Sequence, residues 1–431
     1  MTAMRYGWIS APDRLHGAES VMQTASSGDK DQPMASATER SRPVDRIPEI
    51  EGLRAVLSWW VVSGHCLGSS GYRQDTLPLA LSIVRDAGYA VSVFVIVSGF
   101  VIFQLLDSRR EGYAKFIVKR FFRLYPLFAV TAVAGLLLLG AERLHYLDWE
   151  RYYPPGAPIV ELERLDSINR NLGWHVLAHL PMLHGVIPEG LLPSAPTAID
   201  GPSWSISLEW QFYLVAPFLF VLAELKKTRW NCILVLTTVA AAAVARKYPG
   251  YIELGAFLPY QLKYFFVGAV SQRIYRTLST NENFATLWRK HLAQAAPVML
   301  ALLVMFFREV GRSVFPLLIW LGVFMVIVSR RTLADSPLTS LGSRILCHPV
   351  LQWLGKVSYS TYLVHWLVIV ASSYFLAAVV HDASQKNYCL LLFLTVVPCV
   401  AAVSAATFHG VEAPGIRMGN RVAKWIRRQE A

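Results

Sequence analysis

The feature that most constrains this chain is the recurrence of long apolar segments along most of its length. Ten of them are long enough to cross a bilayer as a helix, which takes about 20 predominantly apolar residues. They lie near residues 51–70, 84–106, 121–141, 204–223, 230–246, 256–275, 292–307, 314–329, 357–380 and 388–409. Segments of this length favour helices, in which every backbone polar group is satisfied within the segment. The sequence therefore predicts an all-α, polytopic integral membrane protein with about ten transmembrane helices.

Composition agrees with a membrane protein. Only 16% of the 431 residues are charged and 54% are hydrophobic, whereas soluble domains usually carry about 25% charged residues. A formal net charge of +12 would point to nucleic acid in a soluble protein. Here the basic residues fit cytoplasmic loops beside anionic lipid. We therefore expect the lipid bilayer, and no nucleic acid, as a partner.

The distribution of basic residues predicts the orientation. With the N-terminus inside, the cytoplasmic connections hold roughly three times as many Lys and Arg residues as the opposite ones, so both termini are expected in the cytoplasm. We expect a multi-pass protein of a bacterial inner or plasma membrane. Residues 1–46 are polar and predicted to form a disordered cytoplasmic tail, 47–415 the membrane domain, and 416–431 a basic cytoplasmic tail. The long outer segment at about 142–203 is expected to cap a cavity or contact an acceptor.

The first predicted helix carries two ionisable residues on one face. Eleven residues separate Arg54 from His65, which returns the helix to nearly the same direction and places the two roughly 16 Å apart along the axis. An ionisable side chain at that depth should face a protein interior or a wet cavity. The alternative is that a neighbouring helix simply satisfies His65. Cys66 points about 100° away from His65 and is not expected to act as a nucleophile.

Two further clusters lie on the second and third predicted helices. Ser98 and Gly99 are small residues that permit close helix packing. Arg120 and Arg123 lie on one face at the cytoplasmic entry of the third helix. Two guanidinium groups can grip phosphate oxygens bidentately, so this pair fits a polyphosphate. Anchoring to lipid head groups explains the same pair equally well.

The fourth predicted helix begins at Trp204 and repeats polar residues every four positions. Ser205, Glu209 and Tyr213 therefore share a face. Because this helix runs inward from outside, Glu209 is expected at the depth of His65. A carboxylate at that depth can hold the imidazole and raise its basicity, as a general base requires. The sequence therefore predicts that Glu209 pairs with His65.

A second histidine is expected within the membrane. Ser358, Thr361 and His365 share a stripe of the ninth predicted helix, so His365 either lines the same cavity or hydrogen-bonds across helices. The five cysteines show no CxxC pair and no metal-ligand spacing, so we expect neither a metal site nor a disulfide.

In this order, these segments resemble the acyltransferase-3 family of integral membrane acyltransferases over almost all of residues 48–415. The resemblance is carried by Gly52-Leu53-Arg54 through His65, Ser98-Gly99-Phe100, Arg120-Phe121-Phe122-Arg123-Leu124-Tyr125-Pro126, Trp204-Ser205-Ile206-Ser207-Leu208-Glu209 through Tyr213, Ser358-Tyr359-Ser360-Thr361-Tyr362-Leu363-Val364-His365, and Glu412-Ala413-Pro414. The chain departs from many members at Ser92, where they carry an acidic residue. It is also expected to lack the esterase-like domain that some members append.

The resemblance implies transfer of an acyl group, with acetyl favoured, from acyl-CoA to a hydroxyl of a saccharide, lipid or natural product. It implies that His65 and Arg54 form the essential pair and that Arg120 and Arg123 face the CoA phosphates. The full hypothesis places His65, Glu209 and Arg54 in catalysis. It places Arg120, Arg123 and Ser98 at the donor, and Trp204, Ser205, Tyr213 and His365 around the substrate.

Two other functions remain open from the sequence. A proton-coupled transporter would use His65, Glu209 and His365 as a relay and Arg54 as an anion gate. No paired inverted halves are visible, which is unfavourable to this alternative. The other is a membrane partner that keeps the helical frame without catalysis.

Overall fold

The computed structural model of the protein describes residues 46–108, 111–224, 254–279, 310–332, 336–380 and 382–429. Within these ranges every regular element is helical, as predicted. The α-helices are α1 (Pro48–Ser69), α2 (Leu79–Arg85), α3 (Ala87–Ser108), α4 (Tyr113–Asp148), α5 (Ala157–Arg170), α6 (Leu172–His179), α7 (Trp204–Glu224), α8 (Leu258–Ser279), α9 (Val310–Thr332), α10 (Pro337–Leu346), α11 (Pro349–Lys356), α12 (Ser358–Val379), α13 (Gln385–Thr407) and α14 (Ala413–Gln429).

In the described part of the chain, 5 helices are long and apolar enough to cross a membrane. They are Ala87–Ser108, Tyr113–Asp148, Gly201–Leu222, Ser358–Val379 and Gln385–Ile426. α1 has comparable length but is not among them, because polar side chains including Arg54 and His65 interrupt its apolar surface. The predicted spans at 230–246 and 292–307 and nearly all of the 1–46 tail lie outside the described residues. The count of ten spans and the orientation therefore stay predictions.

The third predicted span is longer than the sequence indicated. It was expected at 121–141, and α4 extends over Tyr113–Asp148 with Pro126 inside it. Apolarity marks the part of a helix that can sit in lipid, whereas helical hydrogen bonding continues through polar residues at both ends. The extension at the start of α4 carries the helical turn that precedes Arg120.

The long outer segment is folded into helices and turns. α5 packs on the end of α4, where Arg164 contacts the Glu142 carboxylate at 2.8 Å and Arg143 contacts Asp166 at 2.5 Å. The short α6 has 8 residues, which is too few to span a bilayer. Three single 3₁₀ turns then lead to α7, the last of them at Gly201–Ser203. This segment therefore fixes where α7 begins.

The central helices enclose a common space. α1 packs against α3, α11 and α12, and α4 packs against α7, α12 and α14. α3 meets α8 closely at Gly99, where any Cβ would overlap the Phe265 carbonyl oxygen, so the expectation of close packing at this glycine is confirmed. A single π-helical turn at Phe408–Glu412 connects α13 to α14 and presents Glu412 to the interior. Polar residues of α1, α3, α4, α7 and α12 consequently face one another.

Candidate active site

The space between these helices is a cavity of about 330 Å³. Its polar lining consists of Glu51, Arg54, Ser98, Arg120, Arg123, Ser205, Glu209, Tyr213, Ser358, Tyr359 and Tyr362. Arg54 lies in the second turn of α1 and Ser358 begins α12, so the cavity reaches the end of the bundle at which both helices start, and it extends along α3 from Val91 to Leu105. That end is the one predicted to face the cytoplasm. The volume of the cavity is at the lower limit of ordinary ligand pockets.

Three guanidinium groups converge on this cavity. Arg120 lies over the rings of Phe116 and Tyr213, with its Cζ 6.0 and 5.8 Å from their centroids. Its Nε is buried without a hydrogen-bond partner. Arg54 approaches Glu51 at 3.9 Å, which is a loose ion pair. A buried donor without a partner costs free energy, so this site is suited to a ligand with acceptor oxygens.

Arg123 faces carboxylates from three helical segments. The carboxylates of Glu412, Glu209 and Glu51 lie close enough to attract its charge. Glu412 itself accepts a hydrogen bond of 2.8 Å from the buried Ser360 hydroxyl. The π-helical turn therefore supplies a negative charge near Arg123. Such an arrangement orients the guanidinium without filling all of its donors.

Glu209 belongs to this cluster of arginines. It accepts a hydrogen bond of 3.3 Å from the Ser98 hydroxyl and another from the Tyr213 hydroxyl, one turn later on α7. The predicted pairing with His65 was wrong, since no hydrogen bond or ion pair joins Glu209 to His65 in this part of the described structure. Depth along two helices can match while the side chains point to different neighbours, and here Glu209 points toward α3 and α4.

His65 instead lies beside another histidine. Its ring centroid is 5.1 Å from that of His365, with 41° between the planes, and 5.6 Å from Trp366. Neither histidine lines the cavity directly. Tyr362 lies between the two places, because it lines the cavity and its ring is 5.8 Å from His365. The structure therefore divides the predicted site into an arginine cavity and an adjacent histidine pair.

Most of the residues predicted for catalysis, donor binding and the substrate cavity are brought together. Arg54, Ser98, Arg120, Arg123, Ser205, Glu209 and Tyr213 all line the cavity. Trp204 is half-buried at the start of α7 and packs on the core without lining it. His365 is in the neighbouring pair. The structure thus gives the seven lining residues one shared location, and the chemical roles of all nine stay predictions.

Sequence reasoning missed two lining tyrosines and the partner of Arg123. Tyr359 donates a 2.8 Å hydrogen bond to the Leu124 carbonyl, and Tyr362 donates one of 3.3 Å to the Pro202 carbonyl. They stand three residues apart and so share a helix face, a spacing that was readable in the sequence. The attraction between Glu412 and Arg123 joins segments far apart in the chain and had no local signal.

Outside the membrane-spanning helices, a second group of histidines is buried. The rings of His179 and His184 stack in parallel with 3.9 Å between centroids, and Phe128 stacks on both. Burial lowers the pKa of His179 to about 4 and that of His184 well below its usual value. Burial also raises the pKa of the Asp200 carboxyl well above its usual value. Burial therefore favours the neutral forms of these three side chains.

No group of three His, Cys, Asp or Glu side chains placed to hold a metal ion occurs in the described ranges. Four cysteines within those ranges, Cys66, Cys347, Cys389 and Cys399, are free thiols.

Comparison with known proteins places this bundle in a class of membrane enzymes. The family described as "Acyltransferase domain" matches residues 47–406. The chain therefore belongs to the acyltransferase-3 family, which confirms the resemblance drawn from its motifs. It is a membrane acyltransferase by family.

Three curated relatives carry names of this class. Acyltransferase MdmB of Streptomyces mycarofaciens is 26% identical over 50% of this chain and 51% of its own length, so the chain spans about half of that relative. BcsY of Komagataeibacter xylinus, named as a membrane-bound transacylase, is 27% identical over 80% of this chain and 82% of its own length. ORF330 of Acidianus two-tailed virus, named as an acetyltransferase, is 24% identical over 67% and 76%. No solved structure matches the chain.

Proposed function

We propose that this protein is a membrane O-acyltransferase that moves an acyl group, acetyl being the favoured case, from acyl-CoA to a hydroxyl of a saccharide, glycolipid or other small acceptor. The observation that carries the proposal is the convergence of Arg54, Arg120 and Arg123 on one cavity in a chain of this family. The names of the three relatives agree with acyl transfer and leave the donor and the acceptor open.

The arginines account for donor binding. The phosphates of CoA present oxygens that guanidinium groups bind bidentately, and the buried Nε of Arg120 still lacks a partner. Glu51, Glu209 and Glu412 attract these three cations and equal them in number. The predominantly apolar walls from α3, including Phe94 and Val95, suit the acyl chain and the thioester arm.

His65 accounts for the chemistry. In the proposed reaction a nitrogen of His65 removes the proton from the acceptor hydroxyl, and the oxygen attacks the thioester carbonyl carbon. The new C–O bond forms as the C–S bond breaks, and the departing CoA thiolate takes the proton from His65. The thioester must extend beyond Tyr362 to reach this point, because Tyr362 separates the cavity from the histidine pair. A covalent acyl-histidine would be an alternative route through the same side chain.

Protection of the protein against thermal unfolding tests the donor assignment. We expect acetyl-CoA to raise the thermal transition of the purified protein in lipid nanodiscs, and 3′-dephospho-CoA to raise it less. The Arg120→Ala/Arg123→Ala double variant should lose this protection. Arg143→Ala is the matched control, since Arg143 lies on the same helix and pairs with Asp166 away from the cavity.

The acceptor is sought by mass spectrometry of envelope glycans, lipids and small metabolites from cells with and without the gene. A fixed mass difference on one hydroxyl-bearing product, lost with His65→Ala, is expected. Absence of binding by every acyl-CoA tested would contradict the donor assignment. Solute uptake that depends on His65 and Glu209 without acyl transfer would instead support the transporter.

A further inference from the structure

The side chain of His365 is fully buried, yet one of its ring nitrogens has no partner. Its Nδ1 lies 2.5 Å from the carbonyl oxygen of Tyr362. Its Nε2 is buried without a hydrogen-bond partner. A buried polar atom in this state is costly and calls for a partner supplied by the working enzyme.

The contact with Tyr362 fixes the tautomer of His365. A carbonyl oxygen only accepts, so Nδ1 must carry the hydrogen and donate it. In the neutral ring Nε2 then holds the lone pair and can only accept. His365 is thus a fixed acceptor within the bundle.

His65 is the side chain that this acceptor can serve. The two rings lie 5.1 Å apart between centroids and are tilted by 41°, so a small rotation of the half-buried His65 brings one of its nitrogens within hydrogen-bond reach. Hydrogen bonds of catalytic groups are often long or misaligned before substrate binds and tighten in the reacting complex. Glu209 is already engaged by Ser98 and Tyr213 and does not compete for His65.

We infer that His365 is the positioning residue for His65: its Nε2 accepts a hydrogen bond from one nitrogen of His65 and leaves the other nitrogen free to act as base. The inference rests on the proposed function, in which His65 removes the proton of the acceptor hydroxyl. As His65 gains that proton, its N–H toward His365 becomes a charge-assisted donor. When the CoA thiolate takes the proton, both histidines return to their neutral forms.

The surroundings explain why a neutral acceptor is needed. Arg85 of α2 is the charged group that acts on His65, and its positive charge opposes formation of an imidazolium. Glu142 of α4 is already engaged, because Arg164 contacts its carboxylate at 2.8 Å. The carboxyl group of Asp200, in the turn before α7, interacts electrostatically with Tyr362 and not with His65. No carboxylate is hydrogen-bonded to His65 among the described residues, so the lone pair of His365 fills the role that an acid usually has beside a catalytic histidine.

Three substitutions separate this role from a structural one. His365→Phe keeps a ring and removes both nitrogens. His365→Asn can still donate to the Tyr362 carbonyl but has no acceptor at the position of Nε2. His365→Gln can place its amide oxygen near that position. We expect kcat for thiol release to fall about ten- to hundredfold in the Phe and Asn variants, the usual cost of losing a group that orients a histidine, with KM for acetyl-CoA little changed.

The pH profile gives a readout that a packing defect would not move. Without the acceptor, the protonated form of His65 is less stable, so the acidic limb of kcat should shift to lower pH in the Phe and Asn variants. His365→Gln should recover part of the rate and return the limb toward its position in the unsubstituted enzyme. Protection by acetyl-CoA should be kept in all three, because the arginine cavity is unchanged.

The result that would overturn the inference is a His365→Asn enzyme with unaltered kcat and an unaltered pH profile. A low rate in Asn and Gln alike, with the limb unmoved, would also overturn it, since that pattern describes loss of packing. If His65→Ala turns over normally, the base assignment in the proposed function fails instead. A nearly inert His65→Ala beside a fully active His365→Asn leaves the proposed function intact and removes only the positioning role.

Discussion

The arginine cavity and the histidine pair solve the problem of buried polar groups in opposite ways. In the cavity, the cations Arg120 and Arg123 lie among carboxylates and tyrosine rings. In the histidine pair, the Nδ1 atom of His365 contacts the Tyr362 carbonyl, whereas its Nε2 atom is buried without a hydrogen-bond partner. Charged groups suit the holding of a charged donor, and neutral imidazoles suit the movement of a proton. This difference is the basis on which we propose donor binding in one region and proton transfer in the other.

The strongest test of this division is removal of the base. We expect His65→Ala to lower the rate of acyl transfer by about a hundred- to ten-thousandfold, the usual contribution of a positioned general base. Initial rates of CoA thiol release measure the loss. Protection by acetyl-CoA should persist, because His65 does not line the arginine cavity. His409→Ala, at an exposed position of the π-helical turn, is the control and should retain the full rate. Loss of donor protection in His65→Ala would show that His65 also contributes to donor binding, which contradicts the proposed division.

The next test acts on the cavity alone. We expect Arg120→Lys and Arg123→Lys each to raise KM for acetyl-CoA by about ten- to hundredfold, since a hydrogen bond to a charged group is worth about 1.5–3 kcal/mol and lysine cannot reproduce the planar fork. The limiting kcat should change much less. Steady-state kinetics at saturating acceptor separate the two constants. Equal falls in kcat with KM unchanged would show that these arginines act in the transition state instead of holding the donor.

Glu209 is the residue on which sequence and structure disagree, so it sharpens the boundary. Its hydrogen bonds to Ser98 and Tyr213 place it with the arginines. Glu209→Gln keeps the shape and removes the charge, and we expect it to raise KM for the donor by about five- to tenfold without moving the pH limb of kcat. A shifted acidic limb of kcat with an unchanged KM would instead indicate that Glu209 acts on His65. Tyr213→Phe, which removes one of the same hydrogen bonds, should follow Glu209→Gln in direction.

The sequence predicted much of the cavity because its residues repeat along helix faces. Arg120 with Arg123, and Ser205 with Glu209 and Tyr213, follow the three- and four-residue spacings that place side chains together on one helix. Contacts between helices follow from packing angles and rotations, which periodicity does not contain. That is why matched depth wrongly paired Glu209 with His65. The family motifs identified the helices but not the contact between His65 and His365.

The smallest effect that we predict is on folding stability, and it comes from the stacked pair His179 and His184 outside the cavity and the histidine pair. Burial holds the pKa of His179 near 4, below the value of about 6.5 of an exposed histidine, so the folded protein binds fewer protons than the unfolded chain between these values. Folding stability is therefore fully present above about pH 6.5 and is lost as the pH falls toward 4. At pH 5 the loss from this group is about 2 kcal/mol by linkage.

We expect the thermal transition of the protein in nanodiscs to fall on acidification from pH 7 to pH 5, and His179→Phe to reduce that fall. The substitution keeps an aromatic ring stacked on His184 and Phe128 while removing the titrating nitrogens. His348→Phe, on the turn before α11 and away from this stack, serves as the control and should leave the slope unchanged. An identical acid slope in His179→Phe would mean that other groups carry it. In that case the burial of His179 would not contribute to the acid dependence of stability. Buried imidazoles would then matter only at the pair His65 and His365, where the proposed reaction uses them.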